Sequence, residues 1–552
     1  RIGWKPQIFT MSYKAKYMRE LPKREGYPVD LRVPGTDHIA EIYARKHFGD
    51  SIINDVLGKW HRAKLTKDEM NDDFMQFDRK YAPMIRRDAV YFAVLQSLRE
   101  ELTPSEKLIP LTSGGAMKHK DFPKDKSPGL PFREEGYKTK GDVIEDPDAV
   151  KRIMKVWYAV GAGAVHHLPD TMIFFRAQIC PVATNKIRAV FGYPVTVFVE
   201  EARWLYPFME WLKDTTRDFP IAYGIEMATG GMQYINEMCA RAPPKSSLVV
   251  NDYSRFDKTV PPWLIRDAFS IMLDCFHLDR VKGSDGKIWE VDADSSNRRF
   301  NRLVKYFINT PVRLNTGQRF QKTGGVPSGS AFTNIIDSII NAIVTRYAVY
   351  HTTGSLPFAD IYMGDDSFVV VEGPVSQPDM ADLVEREFGM ILNVEKSWVT
   401  DRSDMVHFLG YYNIDGVAFK PQDTILASFI LPERKPPDVQ TTCARALGQL
   451  WSSMGSISGR LWLELVEDIM DDYSISSDWI VDYVHAHPGR FRYLRTMGID
   501  PNTVGLPKLD ILGKVTLIEA AALAKRQFKS RYRNLSYLYS RYVTDPLPVV
   551  EE

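Results

Sequence analysis

An α+β protein of two or three lobes is the architecture this sequence predicts, on three observations. The chain has 552 residues, more than one ordinary hydrophobic core organises. Short β-prone runs alternate with strong helical periodicity between residues 146 and 430. Beyond Pro432 helix formers take over almost throughout, which marks a domain boundary near residue 430. The content of 44% hydrophobic and 26% charged residues excludes a disordered or collagen-like chain. With 71 Lys+Arg against 70 Asp+Glu, the net charge of +1 names no partner.

Residues 1–60 are mixed, and Pro6, Pro22, Pro28 and Pro34 break them into loops and short elements. From about 67 to 102 the apolar spacing is helical, and Thr103-Pro104 ends it. Glycine, proline and lysine dominate 112–141, yet Leu130 and Phe132 stand among the charges, as in an ordered loop. Helices are expected at about 146–163, 197–213, 331–350 and 378–389, and strands at 187–191, 247–252, 357–363 and 368–372. Cys180, Cys239, Cys275 and Cys443 form no CxxC pair, which fits a reducing compartment better than disulfides or a zinc knuckle. Neither His166-His167 nor His485-x-His487 is followed by matching ligands. No apolar run is long enough to span a membrane and no signal peptide is visible; the chain begins at Arg1 rather than Met, as if a piece preceded it.

Three segments carry chemistry. In Ile361-Tyr362-Met363-Gly364-Asp365-Asp366-Ser367-Phe368, β-prone runs flank Gly-Asp-Asp, the pattern of a hairpin with acids at its turn. Gly and Asp are also ordinary turn formers, so a solvated turn has the same signature. Ser247-Leu248-Val249-Val250-Asn251-Asp252 ends a second run in a carboxylate, with Asp257 about one turn further on. Strands that each deliver an Asp to their ends can set carboxylates side by side, and a divalent cation relieves the repulsion. Mg²⁺ takes one or two carboxylates plus phosphates and water, and two such ions suit in-line phosphoryl transfer. The third segment, from Gly324-Gly325-Val326-Pro327-Ser328-Gly329-Ser330 to Asn334, is a Gly/Ser loop feeding a helix over 335–350. Its small side chains let backbone donors follow a nucleic-acid strand closely. The spacing around Ser328 is not that of a hydrolase nucleophile elbow. Thr333 and Asp337 lie four apart, hence on one helix face. Asp337 interrupts an apolar run, where a carboxylate needs a partner or a ligand.

In chain order these segments resemble motifs A, B and C of right-handed viral RNA-dependent RNA polymerases. Lys126-Ser127-Pro128-Gly129-Leu130-Pro131-Phe132 resembles motif G, and Asn185-Lys186-Ile187-Arg188-Ala189-Val190 opens a stretch similar to motif F. The run from Phe388 to Ser397 resembles motif D, and Val406-His407-Phe408-Leu409-Gly410-Tyr411 motif E. Motifs G and B look most like those of partitivirus polymerases, with picobirnaviruses next.

The resemblance implies an α+β right-handed fingers–palm–thumb polymerase with an antiparallel palm sheet and a mostly helical thumb. Its expected parts are N-terminal region and fingers over 1–194, palm over 195–270 and 323–430, a fingers insertion over 271–322, and thumb with C-terminal region over 431–552. The implied activity is template-directed RNA synthesis from ribonucleoside triphosphates, for transcription and replication of a double-stranded RNA virus genome. Asp252 and Asp365 would hold two Mg²⁺ ions, with Asp366 assisting and Mn²⁺ as a substitute. Asp257 would accept a hydrogen bond from the ribose 2′-OH, where a reverse transcriptase sets a bulky aromatic. Asp337 stands where the picornavirus-like pattern has Asn, and would join Asp257 through a shared proton or a cationic neighbour. Lys186 and Arg188, two apart on a strand, would face the triphosphate together, with Arg176 adding to them. Lys396 would protonate the pyrophosphate leaving group. Ser328, Gly329 and Thr333 would contact template or nucleotide. Gly129 and Pro131 would shape the template path, a structural turn being the alternative. Phe408 and Leu409 would pack motif E against the palm.

Implied partners are template and product RNA, ribonucleoside triphosphates and the viral capsid protein, with no membrane, in the virion interior and host cytoplasm. Two rivals remain, a reverse transcriptase and a non-catalytic RNA-binding virion protein; Asp257 and Thr333 oppose the first, and the order of seven motifs the second. Two runs without acids, 298–322 with seven Lys/Arg and 525–541 with six, suit phosphate backbones and base stacking. The neutral total is then an average over opposed regions.

Overall fold

A computed structural model describes residues 12–31, 35–66, 69, 71–84, 88–213, 220–453, 458–476, 479, 482, 483, 486, 487 and 534–551. At its centre a four-stranded antiparallel sheet runs in the order Ala359–Met363, Asp366–Glu372, Ser246–Asn251 and Trp398–Thr400. Side chains alternate across it, as strand geometry requires. Val249, Tyr362, Val369 and Val371 enter the large core beneath helices Thr333–Thr353 and Pro262–Leu273. Leu248, Val250, Ile361, Phe368 and Val370 enter a second core with helix Gly231–Ala240. Both faces are covered, which accounts for the apolar runs that end in Asp252 and precede Asp365.

A five-stranded sheet lies in the order Arg19–Leu21, Arg319–Gln321, Pro311–Arg313, Thr171–Ala177 and Ile187–Gly192. One contact in it is parallel, with Val312 opposite Thr171. Helices Asp423–Ile430, Val439–Ser452 and Ser458–Asp472 build a separate apolar cluster, joined by N-terminal helices His38–Phe48 and Asp50–Lys59. Phe48 packs on Trp462 with ring centroids 5.1 Å apart. The C-terminal helix Leu535–Thr544 returns to helix Ala89–Glu101, where Tyr542 stacks on Phe92 and Leu538 is buried.

Four departures from the sequence reading have physical causes. The single helix expected over 67–102 is broken among the described residues, with Asp72–Met75 separate from Ala89–Glu101. Pro83 lies between them, and Asp88 caps the second by accepting the Tyr91 N–H at 2.8 Å. The loops expected before residue 60 give way to helices once Pro34 is passed; Asp37 caps the first, and neither helix contains proline. Residues 38–59, expected with the fingers, and 535–550, expected with the thumb, each pack against the other body, because their apolar faces find their partners there. The basic run 298–322 is largely spent within the molecule. Arg299 bonds the buried Glu200 at 2.9 Å, Arg313 and Arg319 share Asp170 at 3.2 and 2.8 Å, and Lys322 is fully buried. Of the second run, residues 525–533 lie outside the described residues.

Candidate active site

The Gly-Asp-Asp segment forms a two-residue hairpin, with Met363 opposite Asp366. Gly364 takes φ of 59°, the positive value that a tight hairpin turn needs at its first central position. Asp365 is exposed at the tip and Asp366 half-buried behind it. Helix Thr333–Thr353 grips the turn from below: the Gly364 N–H donates to Ser338 Oγ at 2.8 Å, and Asn341 Nδ2 donates to the carbonyls of Gly364 and Asp366 at 3.1 and 3.2 Å. Sequence reading missed Ser338 and Asn341. Their signal was present, since both are polar residues in an apolar helix and Asn341 is one turn beyond Asp337.

Strand pairing brings Asp252 to the same edge, because Asn251 lies opposite Ser367. The Asp252 N–H donates to Ser397 Oγ at 2.9 Å and its carbonyl accepts the Asn393 N–H at 2.8 Å, so the 393–397 turn fixes the end of this strand. Burial and the charges of Asp365 and Asp252 push Asp366 up to about 6, against the backbone N–H of Leu409. Burial raises Asp252 as well, opposed by Lys396, reinforced by Asp365 and opposed again by Lys186. The Asp365 charge raises both Asp252 and Asp366, and the hard oxygens of the three carboxylates suit Mg²⁺ or Mn²⁺. Among the described residues no three His, Cys, Asp or Glu side chains close into a cage. Such an open set fits an ion that keeps waters and substrate phosphates as ligands.

Asp257 follows Arg255, a left-handed residue at φ 54°, in the short helix Phe256–Thr259. Asp337 is buried beside it, and its Oδ1 has no hydrogen-bond partner. Burial raises both carboxyls, and the neighbouring Asp257 charge raises Asp337 further, while the hydrogen bond from Asp337 lowers Asp257. The two carboxyls are hydrogen-bonded to each other, with Asp337 on the donor side, and the charges of Arg188 and Lys258 also favour the Asp257 carboxylate, so both arrangements the sequence left open contribute.

Lys186 and Arg188 are exposed on either side of buried Ile187 and so face one way. Lys186 acts on Asp252 and Arg188 on Asp257, which places both cations against the acidic edge. Lys396 is exposed in the turn Val394–Lys396, within reach of Asp252. Arg176 stands opposite Arg188 in the sheet but pairs with Glu433 at 3.4 Å. It lines a separate cavity of about 720 Å³ together with Arg62, Lys126, Ser127 and Arg133.

The Gly/Ser loop is wedged against strand Ile187–Gly192: Ser328 Oγ donates to the Ala189 carbonyl at 3.4 Å, and a Cβ on Gly329 would overlap the Phe191 carbonyl. Thr333 closes the loop by donating to the Pro327 carbonyl. The Ser330 hydroxyl and the Ala331 N–H both donate to Glu201, a buried residue sequence reading missed, which burial pushes up to about 8. Gly129 and Pro131 are not at the acidic edge. A Cβ on Gly129 would lie 2.7 Å from the Tyr193 carbonyl, so this turn buttresses the segment after the strand. Phe408 is buried in the second core, and Leu409 at φ 53° turns its N–H to Asp366.

An antiparallel sheet with three carboxylates at one edge, cations opposite and a Gly/Ser loop alongside is the arrangement of a nucleotide-polymerising palm. A family model described as viral RNA-dependent RNA polymerase matches residues 40–484, and the chain belongs to that family. Polymerases of this family use divalent metal ions. The RNA-directed RNA polymerase of Cryptosporidium parvum virus 1 is 27% identical over 353 residues, covering 60% of this chain and 63% of the relative. That of white clover cryptic virus 1 is 24% identical over 342 residues, covering 58% and 51%. The chain thus spans about half to just under two thirds of the curated relatives it matches. The crystal structure of an insertion-loop deletion mutant of a human picobirnavirus RNA-dependent RNA polymerase shares the fold, with a TM-score of 0.62, 15% identity, and coverage of 87% of this chain and 93% of that one. No described helix is long and apolar enough to cross a membrane.

Proposed function

We propose that this chain catalyses template-directed RNA synthesis, joining ribonucleoside monophosphates to a growing 3′ end with release of pyrophosphate. The observation that carries the reading is the edge where Asp252, Asp365 and Asp366 meet, faced by Lys186, Arg188 and Lys396. Asp252 and Asp365, with Asp366 assisting, would hold two Mg²⁺ ions, with Mn²⁺ as a substitute. When bound, such ions neutralise charge on the attacking and leaving oxygens of an in-line displacement. Lys186 and Arg188 orient the triphosphate, and fixed cations there need no reorganisation during the reaction. Asp257, hydrogen-bonded to Asp337 and faced by Arg188, accepts a hydrogen bond from the ribose 2′-OH. Lys396 is placed to give a proton to the departing pyrophosphate oxygen. Ser328, Gly329 and Thr333 border the nucleotide and template, and the cations around the 720 Å³ cavity favour passage of an RNA backbone. Arg176 belongs to that passage rather than to the triphosphate.

We assign fingers, palm and thumb the boundaries given above, except that residues 38–59 join the thumb and 535–550 lie on helix Ala89–Glu101 of the N-terminal region. Likeness to partitivirus enzymes favours a double-stranded RNA virus, with the capsid protein as partner and the virion interior and host cytoplasm as locations. Primer extension with Mg²⁺, comparing ribo- with deoxyribonucleoside triphosphates, tests the reading. Ribonucleotide incorporation is expected; deoxyribonucleotide preference would favour a reverse transcriptase, and no synthesis a non-catalytic RNA-binding protein. Asp365→Ala should lower incorporation by about 10³-fold or more while the thermal midpoint stays near that of the parent, because the side chain is exposed.

A further inference from the structure

Lys322 has no exposed surface and no acidic partner; its Nζ meets four backbone carbonyls, those of Phe307 at 2.6 Å, Ile308 at 2.8 Å, Gly325 at 2.9 Å and Gly324 at 3.3 Å. The first two belong to the last turn of helix Ala293–Ile308, whose unpaired carbonyls and negative dipole end favour a cation. The other two open the Gly/Ser loop. Each of their peptide groups points its N–H the opposite way: the Gly325 N–H donates to the Val260 carbonyl at 2.9 Å, and the Val326 N–H to the Asp257 carbonyl at 2.7 Å. Two successive peptide planes are thus held between the lysine on one side and the Phe256–Thr259 turn on the other. Phe77 and Tyr81 cover the glycines so closely that a Cβ on either would lie 2.7 Å from a ring.

We infer that Lys322 is a positioning residue for sugar selection, setting the backbone of Asp257 through the Gly324–Gly325 and Gly325–Val326 peptide groups. The inference rests on the reading of Asp257 as the acceptor for the ribose 2′-OH. Without the cation, the two carbonyls have no reason to face inward, the peptide planes are free to rotate, and the carboxylate loses its fixed aim. A displacement of this kind costs a reaction that depends on alignment, and the loss falls on ribonucleotides because deoxyribonucleotides make no use of the contact.

The test measures kcat/KM for a ribo- and a deoxyribonucleoside triphosphate in Lys322→Met, Lys322→Gln, Asp257→Ala and the parent, with thermal unfolding and template RNA binding recorded for each. In Lys322→Met the ribo-to-deoxyribo ratio is expected to fall by about tenfold or more, with RNA affinity unchanged. Lys322→Gln, which keeps two N–H donors, is expected to fall between that variant and the parent. A folded Lys322→Met protein with a ratio within about twofold of the parent overturns the inference; if Asp257→Ala still loses selectivity, the reading of Asp257 survives. An unchanged ratio in Asp257→Ala removes that reading and this inference with it. Failure of both Lys322 variants to fold also overturns it, since the lysine would then support the fold rather than the aim of one carboxylate.

Discussion

Glu201 is buried in helix Val195–Leu212 and accepts from the Ser330 hydroxyl and the Ala331 N–H, so its protonation bears on the Gly/Ser loop. Its pKa in the fold, about 8, lies above the 4.5 of an ordinary glutamate. The stability it contributes is therefore full below about 4.5 and is lost as pH rises through 8. Glu201→Gln, neutral throughout, should flatten the decline by up to about 1.4 kcal/mol per pH unit, seen as a parent-minus-variant difference in urea unfolding between pH 5 and 9. Nothing in the sequence distinguished Glu201 from Glu200 beside it, which instead accepts from Arg203 and Arg299; only the fold decides which of two adjacent carboxyls meets guanidinium groups. Asp252, Asp365 and Asp366 drew notice in sequence because apolar β-prone runs end at or flank them, and strand pairing brings these three to one edge. Arg176 stands opposite Arg188, as alternation allows, but its pairing with Glu433 depends on a residue far along the chain that no local pattern reveals.

At the scale of the element, the Gly364-Asp365 hairpin and helix Thr333–Thr353 act as one piece. Asn341 bonds two carbonyls of the turn and Ser338 receives its N–H. Asn341→Ala leaves those two carbonyls without their donor and should cost about 1–3 kcal/mol in urea unfolding, with a lower kcat and nearly unchanged KM if the carboxylates shift. The four strands and four helices expected between residues 146 and 389 lie within a few residues of their places, because a buried strand is an apolar run and a buried helix has a stripe, whereas Thr171–Ala177, Pro262–Leu273 and Ala293–Ile308 went unread. The helices at 38–59 escaped since the prolines before them dominate that stretch, and the break at 76–88 escaped since periodicity alone does not register Pro83 and the Asp88 cap. The 298–322 run taught a different lesson. Charge density in sequence does not separate cations that face solvent from cations that hold buried carbonyls and carboxylates.

At the scale of the molecule, chain order and spatial order diverge at both ends. The helices at 38–59 lie in the cluster of residues 423–483, and the last helix lies on residues 89–101. Phe48 is buried against Trp462, so Phe48→Ala should cost about 3 kcal/mol and lower the guanidinium midpoint of this helical cluster, read from tryptophan fluorescence. Compositional change near residue 430 marked where one body begins, but not which distant segments complete it, because long-range packing partners leave no periodic trace.

The N-terminal chain also ties the two bodies mechanically. It leaves the five-stranded sheet at Arg19–Leu21, enters the helical cluster at residues 38–59, and returns through Trp60–Arg62, which pairs with Ile179–Pro181. The last of these seams is a three-residue ladder, like that at Arg19–Leu21, backed by Ala63, Ala177, Cys180 and Ile187 and tied by Arg62, which donates to the Leu431 and Ala177 carbonyls. That seam shares Ile187 with the strand that carries Arg188, so movement between the two bodies is passed along one short strand to a cation that faces the acidic edge.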